Sequence, residues 1–370
     1  MSFLELSSVS KTYGRMVQAV KDLNLSVKKG EIVALLGSSG CGKTSTLRMI
    51  AGFESVTNGE IRVDGSTIHT LPPARRSVAM AFEGYSLYPP LTIRKNIAFA
   101  MNSEQLSTAD IAKRVEEIAR IVELEDVLDR YPSSISGGQQ QRASLARALV
   151  RKANLHLLDE PMGQLEPQLR ALLRGRIKHF IKDHNLTAIL VTHDQTEANA
   201  LADRIAVMED GELQQFDTPA VLKENPANLF TATFIGEPPM NVFAARLSRA
   251  DGHVIFGLQD GLALSFDEAS FSPDLRDRLY LPGDSVTIGV RPHAVRLVPD
   301  GRTATVIVNQ WLGDQTHVAA NFAGGTVVSV AHDRAPIREG EQVGVSILPE
   351  DLHIFDSRSG IAISHGGQLA

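Results

Sequence analysis

The sequence predicts an α/β domain built on a sheet with parallel strands, followed by a separate all-β domain. Three observations carry this. Short apolar runs at residues 32–36, 155–158 and 188–191 alternate with stretches of helical periodicity, the pattern of strands covered on both faces by helices. The segment 234–241, FIGEPPMN, breaks that pattern with Gly236, Pro238 and Pro239, as a linker does. Beyond it come many short β-type runs separated by glycine, aspartate and proline, which indicates a small barrel or sandwich. The expected division is a mixed domain at 1–236, a linker at 237–241 and a β-rich domain at 242–370. A chain of 370 residues holds two or three domains at roughly 150 residues each.

Taken in order, residues 4–9 and 23–27 read as strands, and 31–36 (EIVALL) as a buried strand entering a glycine-rich turn and then a helix over 43–51. Ile111, Val115, Ile118, Ala119 and Val122 fall on one face of a helix over 110–123, and 139–151 reads as another. Runs 155–158 and 188–191 are short buried strands. In the C-terminal part the expected strands are 242–247, 254–258, 285–290, 303–308, 317–322, 326–330 and 342–348. There is no internal repeat and no low-complexity segment.

Composition removes several function classes. The net charge of −6 and a pI near 6.0 leave no global basic field for nucleic acid or anionic lipid. The single cysteine, Cys41, excludes a disulfide framework and fits a reducing compartment. No apolar run approaches the roughly 18 residues of a membrane helix. The start, MSFLELSSVSKTYG, carries Glu5 and no apolar core, so it does not read as a signal peptide. Any work at a membrane is expected to depend on a partner. The histidines other than His193 show no metal-ligand spacing.

Residues 37–44, GSSGCGKT, fit G-x-x-x-x-G-K-[ST] and stand between a strand and a helix, the context this loop needs. Glycines let backbone N–H groups curl round anionic oxygens, and the helix N-terminus adds partial positive charge. Gly37, Ser38, Ser39, Gly40, Cys41, Gly42, Lys43, Thr44 and Ser45 are expected to surround a triphosphate. Lys43 would neutralise the β- and γ-phosphates, and the Thr44 hydroxyl would ligate Mg²⁺. Cys41 reads as a small residue that fits the loop. Alone, the motif says only that a nucleoside triphosphate binds.

Residues 135–142, ISGGQQQR, offer a second anion-binding element, a capping hydroxyl on Ser136 with the bare amides of Gly137, Gly138 and Gln139. The strand LHLLDE ends in Asp159, placed to hold Mg²⁺, and Glu160, placed to act as general base on water. A solvated turn is the ordinary reading of two such carboxylates, and S-G-G occurs in many loops. His193 follows the strand AILVT, where it could bond a γ-phosphate and orient Glu160.

Together these segments resemble the ATP-binding subunits of ABC transporters, in the group that energises bacterial carbohydrate and polyol importers and includes the maltose-importer ATPase. GSSGCGKT matches Walker A, ISGGQQQR the signature, LHLLDE Walker B, and VTHDQTEA the switch-histidine segment. KTYG supplies Tyr13 as the adenine-stacking aromatic, and FIGEPPMNV and GVRPHAV resemble the junction and regulatory domain of that group. The resemblance implies a P-loop ABC ATPase domain with a helical subdomain at about 84–150, then an OB-like, TOBE-type regulatory domain. It also implies ATP and Mg²⁺, hydrolysis by Glu160 with His193 and Lys43, and ATP sandwiched between Walker A of one chain and the signature of another.

The implied partners are a second ATPase subunit, two transmembrane permeases and, indirectly, an extracytoplasmic solute-binding protein, on the cytoplasmic face of a bacterial membrane. Tyr85, Leu87, Tyr88 and Leu91 resemble the groove that receives a permease. Nucleic acid is not an expected partner. A non-transport cassette ATPase and a regulatory binding protein acting through the β-domain are the competing readings.

Two positions depart from the family pattern. Glu83 stands where the family has a metal-contacting glutamine; it can still ligate Mg²⁺, but it adds negative charge beside the triphosphate. Glu166 stands where an aspartate is usual. These departures predict pairing with a related, non-identical ATPase.

Overall fold

The computed structural model describes residues 2–14, 16–279, 285–298 and 303–366. The chain forms two compact units, Met1–Pro219 and Ala220–Ala370.

In the N-terminal unit a six-stranded sheet has the order Glu212–Asp217, Arg204–Glu209, Ile32–Gly37, Thr187–Thr192, Leu155–Asp159, Val78–Ala81. Every neighbouring pair is parallel except the first. Three inner strands, Ile32–Gly37, Leu155–Asp159 and Thr187–Thr192, are buried at every residue, which is why each is mostly apolar in the sequence, with His156, Asp159, Thr187 and Thr192 as the polar exceptions. Because these strands point the same way, Gly37, Asp159 and Thr192 end along one edge. That carboxyl edge is where open α/β sheets bind ligands.

A second, antiparallel sheet has the order Val17–Lys28, Ser2–Tyr13, Asn58–Val63, Ser66–Thr67. The helix Lys43–Ala51 joins the two sheets in one core. Leu4 and Leu25 of the antiparallel sheet, Leu47 and Ile50 of the helix, and Val33, Leu35 and Ile189 of the parallel sheet pack together. Each such side chain contributes about 1.5–3 kcal/mol on burial. The packing is tight at the helix start, where Gly42 has φ +100° and a Cβ would lie 2.3 Å from the Ala19 carbonyl oxygen. Only glycine fits there.

Three helices, Ile93–Phe99, Thr108–Ile121 and Gly137–Leu149, lie within the region expected to be helical. Ser107 and Ser136 cap the second and third. Arg142, buried, donates to the carbonyls of Val122 and Glu123 and so ties the third helix to the end of the second. Among the described residues no helix is long and apolar enough to cross a membrane.

The C-terminal unit holds two antiparallel sheets. One has the order Ala263–Asp267, His253–Gly257, Asn241–Ala250, Ser285–Val290, Leu352–Asp356, Ala362–Ser364; the other Arg296–Val298, Gln342–Ser346, Ala304–Trp311, Thr316–Phe322, Gly325–Ala331. Phe243, Phe256, Ile288 and Ile354 from the first share a core with Val306, Val318, Val327 and Val343 from the second. The alternating burial of Asn241–Ala250 shows one face turned inward. Four strands (Ala263–Asp267, Arg296–Val298, Leu352–Asp356, Ala362–Ser364) and the helix Pro273–Leu279 add to those expected.

The unit boundary at Pro219 lies ahead of the division expected at residue 236. Hydrogen bonding explains the difference. The Leu229 N–H donates to the Gly360 carbonyl (2.8 Å) and the Ala362 N–H to that of Ala227 (3.0 Å). Ala232 and Met240 pack with the fully buried Phe355. Asn241, the last residue of the expected linker, exchanges side-chain bonds with the Val328 backbone at 2.8 and 2.7 Å. The segment before the β strands is therefore part of their unit.

Candidate active site

The turn after Ile32–Gly37 folds around the Lys43 ammonium. Lys43 is 7% exposed, and its Nζ donates to the carbonyls of Gly37 and Ser38, both at 2.8 Å, and approaches Cys41 Sγ at 3.6 Å. Burial pushes the Cys41 thiol up, with Lys43 opposing, so this cysteine is an inert packing residue. Ser38, Ser39 and Gly40 form an exposed rim, while Gly37, Cys41 and Gly42 are buried and Thr44 and Ser45 half-buried. On the flank, the Tyr13 hydroxyl lies 3.2 Å from Ser45 Oγ, and Lys11 Nζ sits 4.8 Å from the Tyr13 ring centroid.

Next to the loop, Thr44 Oγ1 donates to Asp159 Oδ1 at 3.4 Å. Asp159 is 3% exposed, and its pKa is pushed up to about 6, first by burial and then by the negative charges of Glu83 and Glu160. Three carboxylates thus act on one another at the strand edge. A divalent cation relieves that repulsion, and a hydroxyl with carboxylates is the hard oxygen donor set Mg²⁺ favours. Among the described residues no group of three His, Cys, Asp or Glu side chains is arranged to hold a metal ion.

Glu160 is held on every side. Its φ of 46° is left-handed, a conformation that costs a non-glycine residue about 1–3 kcal/mol. Its N–H donates to the Val191 carbonyl at 3.0 Å, and its own carbonyl accepts from Gln141 Nε2 at 2.8 Å. The side-chain Oε1 accepts from His193 Nδ1 at 2.9 Å, while Oε2 is buried without a partner. An oriented carboxylate with one unpartnered oxygen has the arrangement of a general base. The His193 ring is mostly exposed, open to an incoming ligand.

Ser136 caps the helix Gly137–Leu149 in a capping box: the Ser136 hydroxyl accepts from the Gln139 N–H (3.3 Å), and the Gln139 Oε1 accepts from the Ser136 N–H (2.9 Å). Among the described residues no hydrogen bond or ion pair joins 136–139 to the 37–45 loop. Gly137 instead lies against the Tyr85 hydroxyl and the Gln164 side chain. The structure therefore gathers Lys43, Thr44, Glu83, Asp159, Glu160 and His193 at one edge and leaves Ser136, Gly137, Gly138 and Gln139 outside that network.

Sequence reasoning did not single out Gln141, Arg170, Asp194 or Glu197. Arg170 donates to Asp194 (2.9 Å) and to the carbonyls of Leu165 (3.2 Å) and Gly163 (3.3 Å), joining the loop after Glu160 to the residue after His193. Glu197 is 1% exposed and accepts from the Thr192 hydroxyl at 2.8 Å. Burial, with the charges of Glu160 and Asp194, pushes its pKa up to about 7 despite the Thr192 bond. The D-x-x-E spacing of Asp194 and Glu197 was a visible helix-start signal; the other two residues carried none.

Of the four groove residues expected, Tyr88 lines a cavity of about 480 Å³ with Phe53, Phe82 and Phe99. Its ring lies 4.6 Å from that of Phe99, and the Arg147 guanidinium stands over it. Tyr85, Leu87 and Leu91 do not line that cavity.

The ABC transporter family matches residues 20–163 and the TOBE domain residues 288–355. The chain is 43% identical over 298 residues to the trehalose import ATP-binding protein SugC of Mycobacterium tuberculosis, covering 80% of this chain and 73% of that one. It is 37% identical over 369 residues to the sn-glycerol-3-phosphate import ATP-binding protein UgpC 2 of Agrobacterium fabrum, covering 99% and 96%. The chain belongs to the ATP-binding proteins of ABC transporters. This ABC ATPase also resembles the dimeric cassette MJ0796, solved bound to ADP and phosphate, with a TM-score of 0.55 and 30% identity over 58% of this chain and 98% of that one. It is an ATP hydrolase of the transporter type, an α/β cassette followed by an all-β TOBE domain.

Proposed function

We propose that this ABC ATPase powers uptake of a sugar, sugar alcohol or glycerol-type solute as one of two ATPase subunits on the cytoplasmic face of a bacterial membrane. The names of SugC and UgpC support the solute class, and the dimeric state of MJ0796 supports the pair. The observation that carries the reading is the signature itself: a capped helix start with bare glycine amides and, among the described residues, no hydrogen bond or ion pair to the phosphate loop of its own chain. It suits the triphosphate of a second chain.

In this reading Lys43 and the amides of residues 37–45 bind the phosphates of one ATP, Tyr13 stacks on its adenine, and the partner's signature closes the other side. Thr44, Asp159 and Glu83 would hold Mg²⁺, which when bound neutralises phosphate oxygens. Glu160 takes the proton of the attacking water at Oε2, while His193 occupies Oε1 and fixes the carboxylate plane. Departure of the γ-phosphate removes contacts present only in the closed pair, so the pair opens. Two permeases dock at the groove holding Tyr88, and a solute-binding protein delivers the cargo to them. Glu83 and Glu166 favour a non-identical partner ATPase.

Mixing tests the pair. In the isolated chain, where the only available partner is a second copy, Lys43→Ala and Ser136→Arg chains should each lack hydrolysis, and an equimolar mixture should regain it, because one composite site is then intact. Hydrolysis at the wild-type rate by Ser136→Arg alone would defeat the reading. A strain lacking the chain should lose uptake of radiolabelled trehalose, a polyol or sn-glycerol 3-phosphate; unchanged uptake of all three would defeat the solute class. A native complex with one ATPase band at double stoichiometry would reject the non-identical partner.

A further inference from the structure

We propose that Gln141 is a positioning residue that links the chain's signature to its own catalytic carboxylate, so that the two composite sites of an ATPase pair report on each other through one buried amide. The inference rests on the two-chain reading above.

Gln141 lies in the helix that Ser136 caps and is 3% exposed. Both ends of its amide are used, and neither on its own helix. Nε2 donates to the Glu160 carbonyl at 2.8 Å, and Oε1 accepts from the Gln164 N–H at 2.9 Å. One side chain therefore spans the helix, the residue proposed as the base and the loop that follows it. Buried and satisfied at both ends, such an amide sets a distance rather than merely filling space.

Glu160 is the residue for which that distance matters. Its backbone is left-handed, and apart from Gln141 its main chain is tied by its own N–H bond to the Val191 carbonyl and by a long bond, 3.4 Å, from the Gly163 N–H to its carbonyl. Movement of the helix start thus acts on the peptide that carries the carboxylate. The start of the helix also rests on the same loop. A Cβ at Gly138 would lie 3.3 Å from Leu165 Cδ2 and 3.4 Å from the Gln164 carbonyl oxygen, and one at Gly137 3.2 Å from Gln164 Oε1. On the loop's other side, Arg170 binds the carbonyls of Gly163 and Leu165 and reaches Asp194, next to His193. The helix touches the Glu83 turn as well, through Arg147, which donates to the carbonyls of Ser86 (2.6 Å) and Tyr85 (3.3 Å).

A triphosphate gripped by Ser136 belongs to the partner's site, whereas Glu160 serves the chain's own. Engagement at the first fixes the helix start, and Gln141 passes that position to the second. This contiguous set of contacts is a physical route for coupling between sites.

The test uses the full chain with MgATP. Gln141→Met keeps length without hydrogen bonds, and Gln141→Glu keeps an acceptor for the Gln164 N–H but offers no donor to the Glu160 carbonyl. Both should lower kcat by about tenfold or more, leave binding of a fluorescent ATP analogue within about twofold, and bring the Hill coefficient for ATP from above 1 to about 1. Should Gln141→Met not fold, Gln141→Glu alone decides. Wild-type kcat and cooperativity in a folded variant would overturn the inference, as would a loss of analogue affinity equal to the loss of kcat. Wild-type hydrolysis in strict proportion to protein concentration, with a Hill coefficient of 1, would instead overturn the two-chain reading and this inference with it.

Discussion

His193 Nδ1 lies 2.9 Å from Glu160 Oε1, and the other carboxylate oxygen, Oε2, is buried without a partner. The imidazole occupies one oxygen and leaves the other for water. Glu160→Gln keeps the shape and an oxygen for His193 but cannot accept a proton from water. It is expected to bind MgATP with wild-type affinity and to lose turnover by roughly 10²–10⁴-fold. Phosphate release and nucleotide retention on gel filtration check this. Near-normal hydrolysis would assign the base elsewhere.

Glu83 contributes negative charge to an edge that already holds Asp159 and Glu160, and its field helps to raise the Asp159 pKa. Glu83→Gln keeps an oxygen for the metal and removes that charge. MgATP should bind several-fold more tightly, and the gain should shrink as salt screens the charges over about 10 Å. Calorimetric titration at low and high ionic strength measures both. Weaker binding by the variant would show the charge itself to be needed.

Much of the cassette was legible because each buried strand is a short, mostly apolar run ending at a chemically marked turn: Ile32–Gly37 at GSSGCGKT, Leu155–Asp159 at Glu160, Thr187–Thr192 at His193. What stayed illegible lies in long-range hydrogen bonding. Gln141 reaches Glu160 from a helix distant in sequence, and nothing in ISGGQQQR says which glutamine turns inward. Helix Leu229–Phe234 read as the end of the first domain, because its tie to Gly360 joins residues far apart in the chain. Short strands such as Arg296–Val298 and Ala362–Ser364 are too brief to show alternation.

Glu197 gives a pH signature of stability. Its carboxyl has an ordinary value near 4.5 and is pushed up to about 7 by burial. Between those values the unfolded chain has released a proton that the folded chain still holds, so this group's contribution to stability falls as pH rises from about 4.5 to about 7. The full swing is on the order of 3 kcal/mol. Glu197→Gln keeps an acceptor for the Thr192 hydroxyl and cannot ionise. Its Tm should fall less than that of the wild type between pH 5 and pH 8, by several degrees in scanning calorimetry. Parallel Tm profiles would show that Glu197 ionises normally.

Arg291 decides the stability of the C-terminal unit. It is 6% exposed, and its guanidinium donates to the carbonyls of Ala232 (2.9 Å), Ile235 and Lys223 (2.7 Å), with burial pulling its pKa down to about 10. Ala232 and Lys223 belong to the helices Leu229–Phe234 and Pro219–Glu224, and Ile235 follows the first of these. A single cation therefore satisfies carbonyls at the ends of two short helices, where no intrahelical donor is left. Arg291→Met fills similar volume and strands those carbonyls, at a cost of about 3 kcal/mol or more. The melting transition of the C-terminal unit should drop by roughly 6–12 °C, while binding of an ATP analogue to the cassette stays unchanged. A drop in nucleotide affinity of the same order would mean that Arg291 supports the phosphate loop and not only its own unit.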